Sequence, residues 1–512
     1  MQSPDFLPID FLIVGGSICG LSSAISLRRA GHNVTVFDFD DPFVQNPFQA
    51  GCRLPPNSTK IYYRWGLEQR LRDASITATG NLFAAYDTGR VYGGHDWEDD
   101  VISETGGDFL CMHFFELRRI LAEAAVEHGA KVHPPMKVES VHPHPDRPWI
   151  TLENGEVVYG DVIVGCDGSS WKDWVTRTAV LKAFGQGEVA EPTGMQFFNV
   201  MIPDAGLDDI RDEGLRTQLR KTGKVFTWLG AEYSAIGYPI KAPGTWDPKF
   251  VLFVYGPRYE EVGTKMVWKA HKEELLAVVN NADPRLAELA AGASSISCVQ
   301  MPRRNPCPEW VHPDGRLLVI GEGAHPLVIG TIYAPGMATG DAAALGRVFS
   351  HLTRRDQIDS FLSAVQEVRK ERVEDVMRRA SGNIFAVSIP PAVAAAHDRE
   401  MDRQVEKGLK SLEGKRRIQP QSSEQLMAAV ENIFAIDPED EADNWWVQWG
   451  SLESRAARWN LADGEVKAES KDEEEELEEE KKKQGKGWEA AFTVAEQVTV
   501  VTTEPASEVL PL

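Results

Sequence analysis

The sequence lacks the features that mark several specialised classes of protein. No apolar run reaches the roughly 20 residues that a transmembrane helix needs. No basic segment precedes the first apolar stretch, so a secretory signal is not expected. The six cysteines are scattered without a C-x-x-C pair, which predicts reduced thiols in a cytoplasmic protein rather than a disulfide framework or a metal site.

Basic residues are also in deficit. Lys and Arg number 54 against 77 Asp and Glu, and the formal net charge is −23. Such a charge argues against a nucleic acid or an anionic membrane as a partner. Part of the excess is local, because residues 472–480 are almost wholly acidic, and residues 465–512 are predicted to form a disordered acidic tail.

The first strong signal in the chain is a glycine-rich turn between a predicted strand and a predicted helix. The apolar run Phe11–Val14 precedes the turn, and the helix leads to a second predicted strand, Asn33–Phe37. Backbone N–H groups at such a turn bind pyrophosphate, and an acid after the second strand accepts hydrogen bonds from ribose. The unit predicts a dinucleotide site formed by Gly15, Gly16, Ser17, Gly20 and Asp38.

The match to the dinucleotide pattern G-x-G-x-x-G is incomplete. Ser17 stands where the second glycine belongs, although its hydroxyl could itself bind a phosphate. A turn of this kind also occurs for packing alone, and that reading stays open beside the cofactor site.

Two further apolar strands end in glycine-rich turns far along the chain. Asp161–Val164 leads into Gly165-Cys166-Asp167-Gly168, and Leu317–Ile320 leads into Gly321-Glu322-Gly323-Ala324-His325-Pro326. Ligands of open α/β sheets bind beyond the carboxyl ends of the strands. The three turns are therefore expected to face one long ligand.

Together these motifs resemble those of the class A FAD-dependent aromatic monooxygenases, the family of salicylate hydroxylase and para-hydroxybenzoate hydroxylase. The first turn is similar to the family's pyrophosphate turn, residues 165–168 to its DG motif, and residues 321–326 to its G-D-A-A-H-P motif. Residues 50–57, AGCRLPPN, resemble the loop G-A-G-I-Q-L-x-P-N. Residues 435–442 resemble the C-terminal segment of the salicylate hydroxylase branch.

The resemblance implies a reaction and a set of site residues. FAD would be reduced by transiently bound NADH or NADPH, and O₂ would form a flavin C4a-hydroperoxide that hydroxylates a small phenolic or salicylate-like aromatic substrate. Cofactor contacts beyond the first turn would come from Gly51, Arg53, Arg118, Asp167, Gly321, Glu322 and Pro335. The catalytic candidates are His325, Pro326 and Tyr238. A structural role for His325 and simple packing of Tyr238 remain alternatives.

Three departures from the family pattern bear on the cofactor. Glu322 replaces the family's aspartate and keeps its carboxylate. Phe114 replaces an arginine near the pyrophosphate, a loss for which Arg118 or Arg53 could compensate. Pro335 offers no N–H in the loop expected to cradle the flavin. Two other functions therefore stay open: a secondary-metabolism flavin epoxidase or dearomatase, and a flavoprotein that has lost turnover and acts as a binding subunit.

The predicted fold is α/β, a doubly wound, Rossmann-like FAD-binding domain with an inserted antiparallel-sheet substrate domain and C-terminal helices. The FAD-binding domain is predicted over residues 1–185 and 300–400, and the substrate domain over 186–299. A helical segment over 401–464 and the acidic tail would follow. Within these domains, one helix is expected over Val267–Asn280 and another from Met337 onward.

Overall fold

The computed structural model describes residues 6–45, 51–96, 105–169, 174–221, 223–241, 248–258, 267–327, 331–387 and 436–452. The chain divides into two units, Met1–Trp445 and Trp446–Leu512. A single π-helical turn, Trp446–Gly450, is described in the second unit, and all elements below belong to the first. Of the segment predicted over 401–464 only 436–452 is described, and the predicted tail lies outside the described residues.

The strands follow one another as β1 (Asp10–Val14), β2 (Asn33–Phe37), β3 (Gly51–Leu54), β4 (Ser75–Thr77), β5 (Gly80–Ala85), β6 (Val91–Asp96), β7 (Leu110–His113), β8 (Lys131–Val132), β9 (Val138–His142), β10 (Trp149–Leu152), β11 (Val157–Tyr159), β12 (Val162–Gly165), β13 (Ala190–Pro203), β14 (Lys224–Leu229), β15 (Ser234–Lys241), β16 (Pro248–Pro257), β17 (Val267–Lys269), β18 (Ser295–Arg304) and β19 (Leu317–Val319).

The α-helices are α1 (Ile18–Ala30), α2 (Pro56–Arg64), α3 (Glu68–Ala74), α4 (Phe114–Glu127), α5 (Val175–Ala183), α6 (Glu213–Lys221), α7 (Lys272–Val278), α8 (Pro284–Ala291), α9 (Tyr333–Phe349), α10 (Ile358–Val387) and α11 (Pro438–Trp445). None of the helices in the described ranges combines the length and the apolar composition needed to cross a membrane.

A five-stranded parallel sheet carries the three glycine-rich turns. Its strand order is β19-β12-β1-β2-β8. The register places Val14 beside Gly165, and Gly165 beside Val319, so β1, β12 and β19 end at the same edge. The strands are almost wholly apolar because helices cover both faces of a parallel sheet, and residues such as Ile13 and Ile163 are fully buried. The predicted convergence of the three turns is confirmed.

An eight-stranded sheet, ordered β17-β18-β13-β16-β15-β14-β5-β6, has two different faces. One face presents Phe198, Phe226, Phe250 and similar side chains to an apolar cluster that includes Leu215 from α6, Leu275 from α7 and Leu286 from α8. Because side chains alternate along a strand, the neighbouring residues of β13, β15 and β16 point to the opposite face. That second face is called the inner face below.

The inserted sheet differs from its predicted extent in two places. Strands β5 and β6, which lie outside the predicted range 186–299, join it through a parallel pairing of β5 with β14. The helix predicted over Val267–Asn280 is wrong at its start, because Val267–Lys269 forms the edge strand β17 against β18 and the helix begins only at Lys272. The β-branched and aromatic residues Val267 and Trp268 suit a strand, and long-range pairing supplies the partner that the sequence does not show.

Helix α9 begins four residues earlier than predicted, at Tyr333 rather than Met337. Pro335 therefore lies in the first turn of the helix instead of in a loop. Proline is tolerated there because the first N–H groups of a helix have no intrahelical acceptor. The missing N–H of Pro335 removes only one of the N–H groups of this turn.

Candidate active site

The turn after β1 has the geometry of an anion-binding turn. Gly15 has φ of +107°, and a Cβ at this position would lie 2.3 Å from the carbonyl oxygen of Cys166, so the first and second turns touch through a glycine. Ser17 precedes α1, and its side chain makes no capping hydrogen bond. The N–H groups of the first turn of α1, which contains Gly20, and the Ser17 hydroxyl can therefore be offered to a phosphate.

Asp38 closes this end of the site. Its carboxylate accepts hydrogen bonds from the N–H of Gly16 at 2.5 Å and from the N–H of Asp40 at 3.0 Å, and it lies 3.3 Å from the Arg118 guanidinium. Burial raises the pKa of Asp38, and Arg118 opposes that shift. The carboxylate stands beside the glycine turn, where an acid can accept hydrogen bonds from a ribose.

Arg118 is almost completely buried, with 3% of its side chain exposed. It donates to the carbonyl oxygen of Gly16 at 2.8 Å, to the carbonyl oxygen of Asp40 at 2.9 Å and to the Asp40 carboxylate at 3.1 Å. The sequence predicts Arg118 as a cofactor residue that could replace the arginine lost at Phe114. The structure places its guanidinium on protein groups that hold the loop after β2.

The second turn is held from helix α5. Thr176 donates to both Asp167 carboxylate oxygens, from its N–H at 3.0 Å and from its hydroxyl at 2.5 Å. Burial raises the pKa of Asp167 to about 6. The next residue, Arg177, donates to the carbonyl oxygen of Gly323 at 2.8 Å and so ties α5 to the third turn. Sequence reasoning missed Thr176 and Arg177, because neither belongs to a recognisable motif and their partners lie in the second and third turns.

The third turn presents a carboxylate to which no described residue donates. Glu322 follows Gly321, whose φ is +64°, and is half-buried. Burial raises the pKa of Glu322 to about 7, with His325 acting in the opposite direction. Within the described ranges no group donates a hydrogen bond to this carboxylate. A half-buried acid of this kind is costly unless a ligand supplies donors, as the hydroxyls of a ribityl chain would.

His325 belongs to a buried charge network. Its Nε2 lies 2.6 Å from an oxygen of Asp341, which also accepts the Gly321 N–H at 3.0 Å. The other Asp341 oxygen accepts from Nε of Arg369 at 3.0 Å. Burial alone would raise the pKa of Asp341, but His325 and Arg369 together hold it below its usual value. The Nδ1 of His325 has no partner among the described residues, and Pro326 follows it at a half-buried position.

The inner face of the eight-stranded sheet carries aromatic residues and two buried phenols. Phe253 packs edge-to-face against both Phe197 and Tyr238. The hydroxyls of Tyr238 and Tyr255 are buried without a hydrogen-bond partner in the described part of the chain. Burial raises the pKa of Tyr238 well above its usual range and that of Tyr255 to about 12, although Arg53 opposes both shifts.

Strand β3 brings the loop at residues 50–57 against these phenols. A Cβ at Gly51 would lie 2.7 Å from the Tyr238 hydroxyl oxygen, so only glycine permits this approach. The Arg53 guanidinium lies 5.6 Å from the centre of the Tyr238 ring, a cation–π distance. Arg53 also lines a small, mostly apolar cavity, together with Ala78, Asn81, Phe109, Leu110, Cys111, Val225 and Ile332.

The residues present fit FAD. The turn after β1 offers donors for a pyrophosphate, Asp38 offers an acceptor for a ribose, and Glu322 is an acceptor that lacks donors. Ile332, immediately before α9, lines the same cavity as Arg53, so the first turn of α9 containing Pro335 lies close to β3. Among the described residues no cluster of His, Cys, Asp or Glu side chains could hold a metal ion. All six cysteines are free thiols.

Known proteins were compared with this sequence and this fold. Residues 9–380 match the family described as FAD binding domain. The FAD-dependent monooxygenase OpS4 of Beauveria bassiana (strain ARSEF 2860) is 28% identical over 385 residues, which cover 75% of this chain and 86% of that protein. The 3-hydroxybenzoate 6-hydroxylase of Klebsiella oxytoca is 23% identical over 349 residues, covering 66% of this chain and 79% of its own length.

The fold has solved counterparts. The structure of a salicylate hydroxylase substrate complex superposes with a TM-score of 0.66 at 16% identity and covers 85% of this chain and 97% of that chain. This likeness confirms the predicted α/β fold class, and the family match confirms the predicted cofactor. The chain therefore belongs to the FAD binding domain family and is an FAD-dependent monooxygenase of the aromatic-hydroxylase type.

Proposed function

We propose that this monooxygenase hydroxylates a small aromatic compound that carries a phenol or a carboxylate, with O₂ as oxidant and NADH or NADPH as electron donor. The observation that carries the proposal is the inner face, where two buried phenolic hydroxyls without partners and the Arg53 guanidinium lie among aromatic side chains. The aromatic side chains can pack against an aromatic ring, and the two phenolic hydroxyls and Arg53 can donate hydrogen bonds to an acidic substituent.

The charge balance of this face favours an acidic substrate. Because the pKa values of Tyr238 and Tyr255 are raised by burial, both hydroxyls stay protonated and can donate. Arg53 is the cation whose field reaches both of them. A phenolate or carboxylate placed here would gain charge-assisted hydrogen bonds, whereas a neutral aromatic ring would leave the hydroxyls unpaired.

FAD supplies the redox chemistry that activates O₂ when it is bound. The chain itself would bind and orient the cofactor: the turn after β1 would hold the pyrophosphate, Asp38 would accept from a ribose, and Glu322 would accept from the ribityl hydroxyls. The aromatic residues of the inner face exclude water from the reacting groups. His325 is fixed by Asp341 through Nε2, which leaves Nδ1 able to accept a proton or a hydrogen bond.

The names of the relatives support the substrate class. One relative is named for 3-hydroxybenzoate and one structural neighbour for salicylate, both of which are aromatic acids with a hydroxyl group. The nicotinamide cofactor would bind transiently, because only the turn after β1 in the described ranges combines a glycine-rich turn with a helix start and an acid after the next strand. A cytoplasmic location, where the six free thiols stay reduced, completes the proposal.

The test is NADH and NADPH oxidation by the holoenzyme with matched pairs of compounds. Salicylate and 3-hydroxybenzoate would be compared with methyl 2-methoxybenzoate and methyl 3-methoxybenzoate, which lack both acidic groups, and products would be identified by mass and NMR. We expect the acids to stimulate oxidation about tenfold or more over the neutral analogues, the size of one charged hydrogen bond. The expected product contains one added oxygen on the ring.

Two outcomes would contradict the proposal. Equal stimulation by the neutral analogues would show that the inner face does not select an acid. Oxidation that yields only hydrogen peroxide with every aromatic compound would show that no ring is hydroxylated. The matched variant Arg53→Gln, which carries the residue of the similar family loop, should keep FAD bound and lose the preference for acids.

A further inference from the structure

The short helix α11 is attached to the FAD-binding part of the chain by ion pairs. Asp437, immediately before α11, pairs with both terminal nitrogens of Arg64 in α2, at 2.5 and 3.0 Å. Asp443 pairs with Arg347 in α9, at 2.5 and 2.7 Å. These pairs are partly exposed, and each such pair contributes little to stability on its own.

A third carboxylate, Glu441 of α11, pairs with a buried arginine. It lies 3.4 Å from Arg369 of α10, whose side chain is only 2% exposed. Arg369 in turn donates to Asp341 of α9, which is completely buried. Helix α11 is therefore connected to the interior of the protein through Arg369.

The series of charged residues Glu441, Arg369 and Asp341 ends in the interior at the turn that carries Glu322. The Asp341 oxygen that does not face Arg369 accepts both the N–H of Gly321 and the ring of His325. Gly321 is in the left-handed conformation and starts the turn. The position of the turn is thus set by a carboxylate whose own position depends on Arg369, and Arg369 is shared with Glu441.

We propose that α11 positions the turn Gly321–Gly323 for FAD through the series Glu441–Arg369–Asp341, which makes Glu441 and Arg369 positioning residues for the cofactor. The inference rests on the family's cofactor and on no particular substrate. A buried arginine that loses one of two carboxylates shifts toward the other, and the second oxygen of the Asp341 carboxylate holds the turn. Removal of Glu441 therefore acts on FAD binding at a distance, without any contact between Glu441 and the cofactor.

The experiment compares two variants of the same helix in the full-length protein. Glu441→Gln removes the charge that pairs with Arg369, and Asp443→Asn removes a similarly exposed charge that pairs with Arg347 instead. The dissociation constant of FAD is measured by titrating apoprotein with FAD and following flavin fluorescence. The melting temperature of each apoprotein and the visible absorption spectrum of each holoprotein are recorded alongside.

We expect Glu441→Gln to weaken FAD binding about five- to tenfold, a typical size for coupling through a contiguous network. Its flavin absorption bands should shift, and Asp443→Asn should change the affinity less than about twofold. Glu441→Asp, which retains the charge, should recover most of the affinity. Equal FAD affinities in both variants, or equal losses in both, would overturn the proposal. Wild-type apoprotein that binds no FAD would instead contradict the cofactor assignment itself.

Discussion

The two carboxylates that face the cofactor site, Asp38 and Glu322, stand in opposite environments. Asp38 already accepts two backbone N–H groups and pairs with the buried Arg118. Glu322 follows a strand of the same parallel sheet, yet no described group hydrogen-bonds its carboxylate, and burial brings its pKa to about 7. The Asp38 carboxylate is paired without a ligand, whereas no described group pairs with the Glu322 carboxylate.

The contrast shows which groups near the reacting end are left for a ligand. The Tyr238 and Tyr255 hydroxyls and Nδ1 of His325 are buried without a hydrogen-bond partner among the described residues, and the half-buried Glu322 carboxylate has no described donor either. Each such group costs stability until a ligand pairs with it. The Arg118–Asp38 pair is therefore expected to contribute mainly to folding, and the Glu322 carboxylate mainly to ligand binding.

The largest expected effect is on stability at the Asp38 end. Arg118→Met leaves the Asp38 and Asp40 carboxylates without their cation and should lower the free energy of unfolding of the apoprotein by about 3 kcal/mol or more. Arg119→Met is the matched control on the same helix, because Arg119 forms more exposed pairs with Glu116 and Glu123. Denaturant unfolding of the two apoproteins measures both values, and equal losses would contradict that expectation.

Glu322→Gln should weaken FAD binding without lowering the stability of the apoprotein. It should weaken FAD binding by about 1–3 kcal/mol, because an uncharged amide accepts the ribityl hydroxyls less well. At pH 8 the apoprotein should be as stable as the wild type or more stable, since an unpaired charge is removed. Glu322→Asp should be tolerated, because it restores the family's residue. The measurements are FAD titration and denaturant unfolding, and a Gln variant with lower apoprotein stability would break the comparison.

The pH dependence of FAD binding follows from the same group. The pKa of Glu322 is raised to about 7 in the folded apoprotein, so the acid holds its proton more tightly there than in the unfolded chain. Its contribution to apoprotein stability is present at low pH and is lost as the pH rises through about 7. Bound hydroxyl donors favour the ionised form, so FAD affinity should rise between pH 6 and pH 8.

The control for this pH dependence is Glu322→Gln, in which the contribution of residue 322 is absent. FAD titrations at several pH values should give a flatter profile for this variant than for the wild type. Identical profiles would show that Glu322 does not accept hydrogen bonds from the cofactor.

The smallest stability effect is expected at the inner face. Tyr238→Phe removes a buried hydroxyl that has no partner in the described structure, so it should leave the free energy of unfolding unchanged or raise it by up to about 1 kcal/mol. Tyr62→Phe is the matched control, because the Tyr62 hydroxyl bonds Ser22 and Thr339 at 2.9 Å, and it should cost about 1 kcal/mol. Tyr238→Phe should instead raise KM for an acidic substrate. An unchanged KM with lost stability would reverse the assignment.

The parallel sheet could be predicted because its evidence is local. Apolar strands followed by glycine turns at Gly15 and Gly321 require a particular backbone shape, and both glycines adopt positive φ. The fold class, the convergence of the three turns and the candidates Asp38 and Glu322 follow from such short segments. The placement of Pro335 in the first turn of α9 could not be predicted, because helix starts depend on neighbouring elements that compete for the same residues.

Contacts between residues far apart in the chain could not be predicted from the sequence. Arg118, predicted to approach the pyrophosphate, is held by Asp38 and Asp40, about 80 positions earlier. His325, predicted as catalytic, is fixed by Asp341, and its catalytic role stays a prediction beside that structural one. Strand β5 joins a sheet whose other strands mostly lie more than a hundred residues later. The positions of these residues in the sequence do not indicate which residues they contact.

Local sequence patterns were enough to predict the cofactor class, the parallel sheet and the acids at its strand ends, since each depends on apolar runs and on glycines that only certain turns require. Which polar groups are paired and which are left for a ligand is visible only in the three-dimensional contacts. That outcome depends on burial and on contacts between distant segments. The Asp38 carboxylate stabilises the fold because Arg118 and backbone N–H groups surround it, whereas the Glu322 carboxylate has no such described partners and is left to bind a ligand.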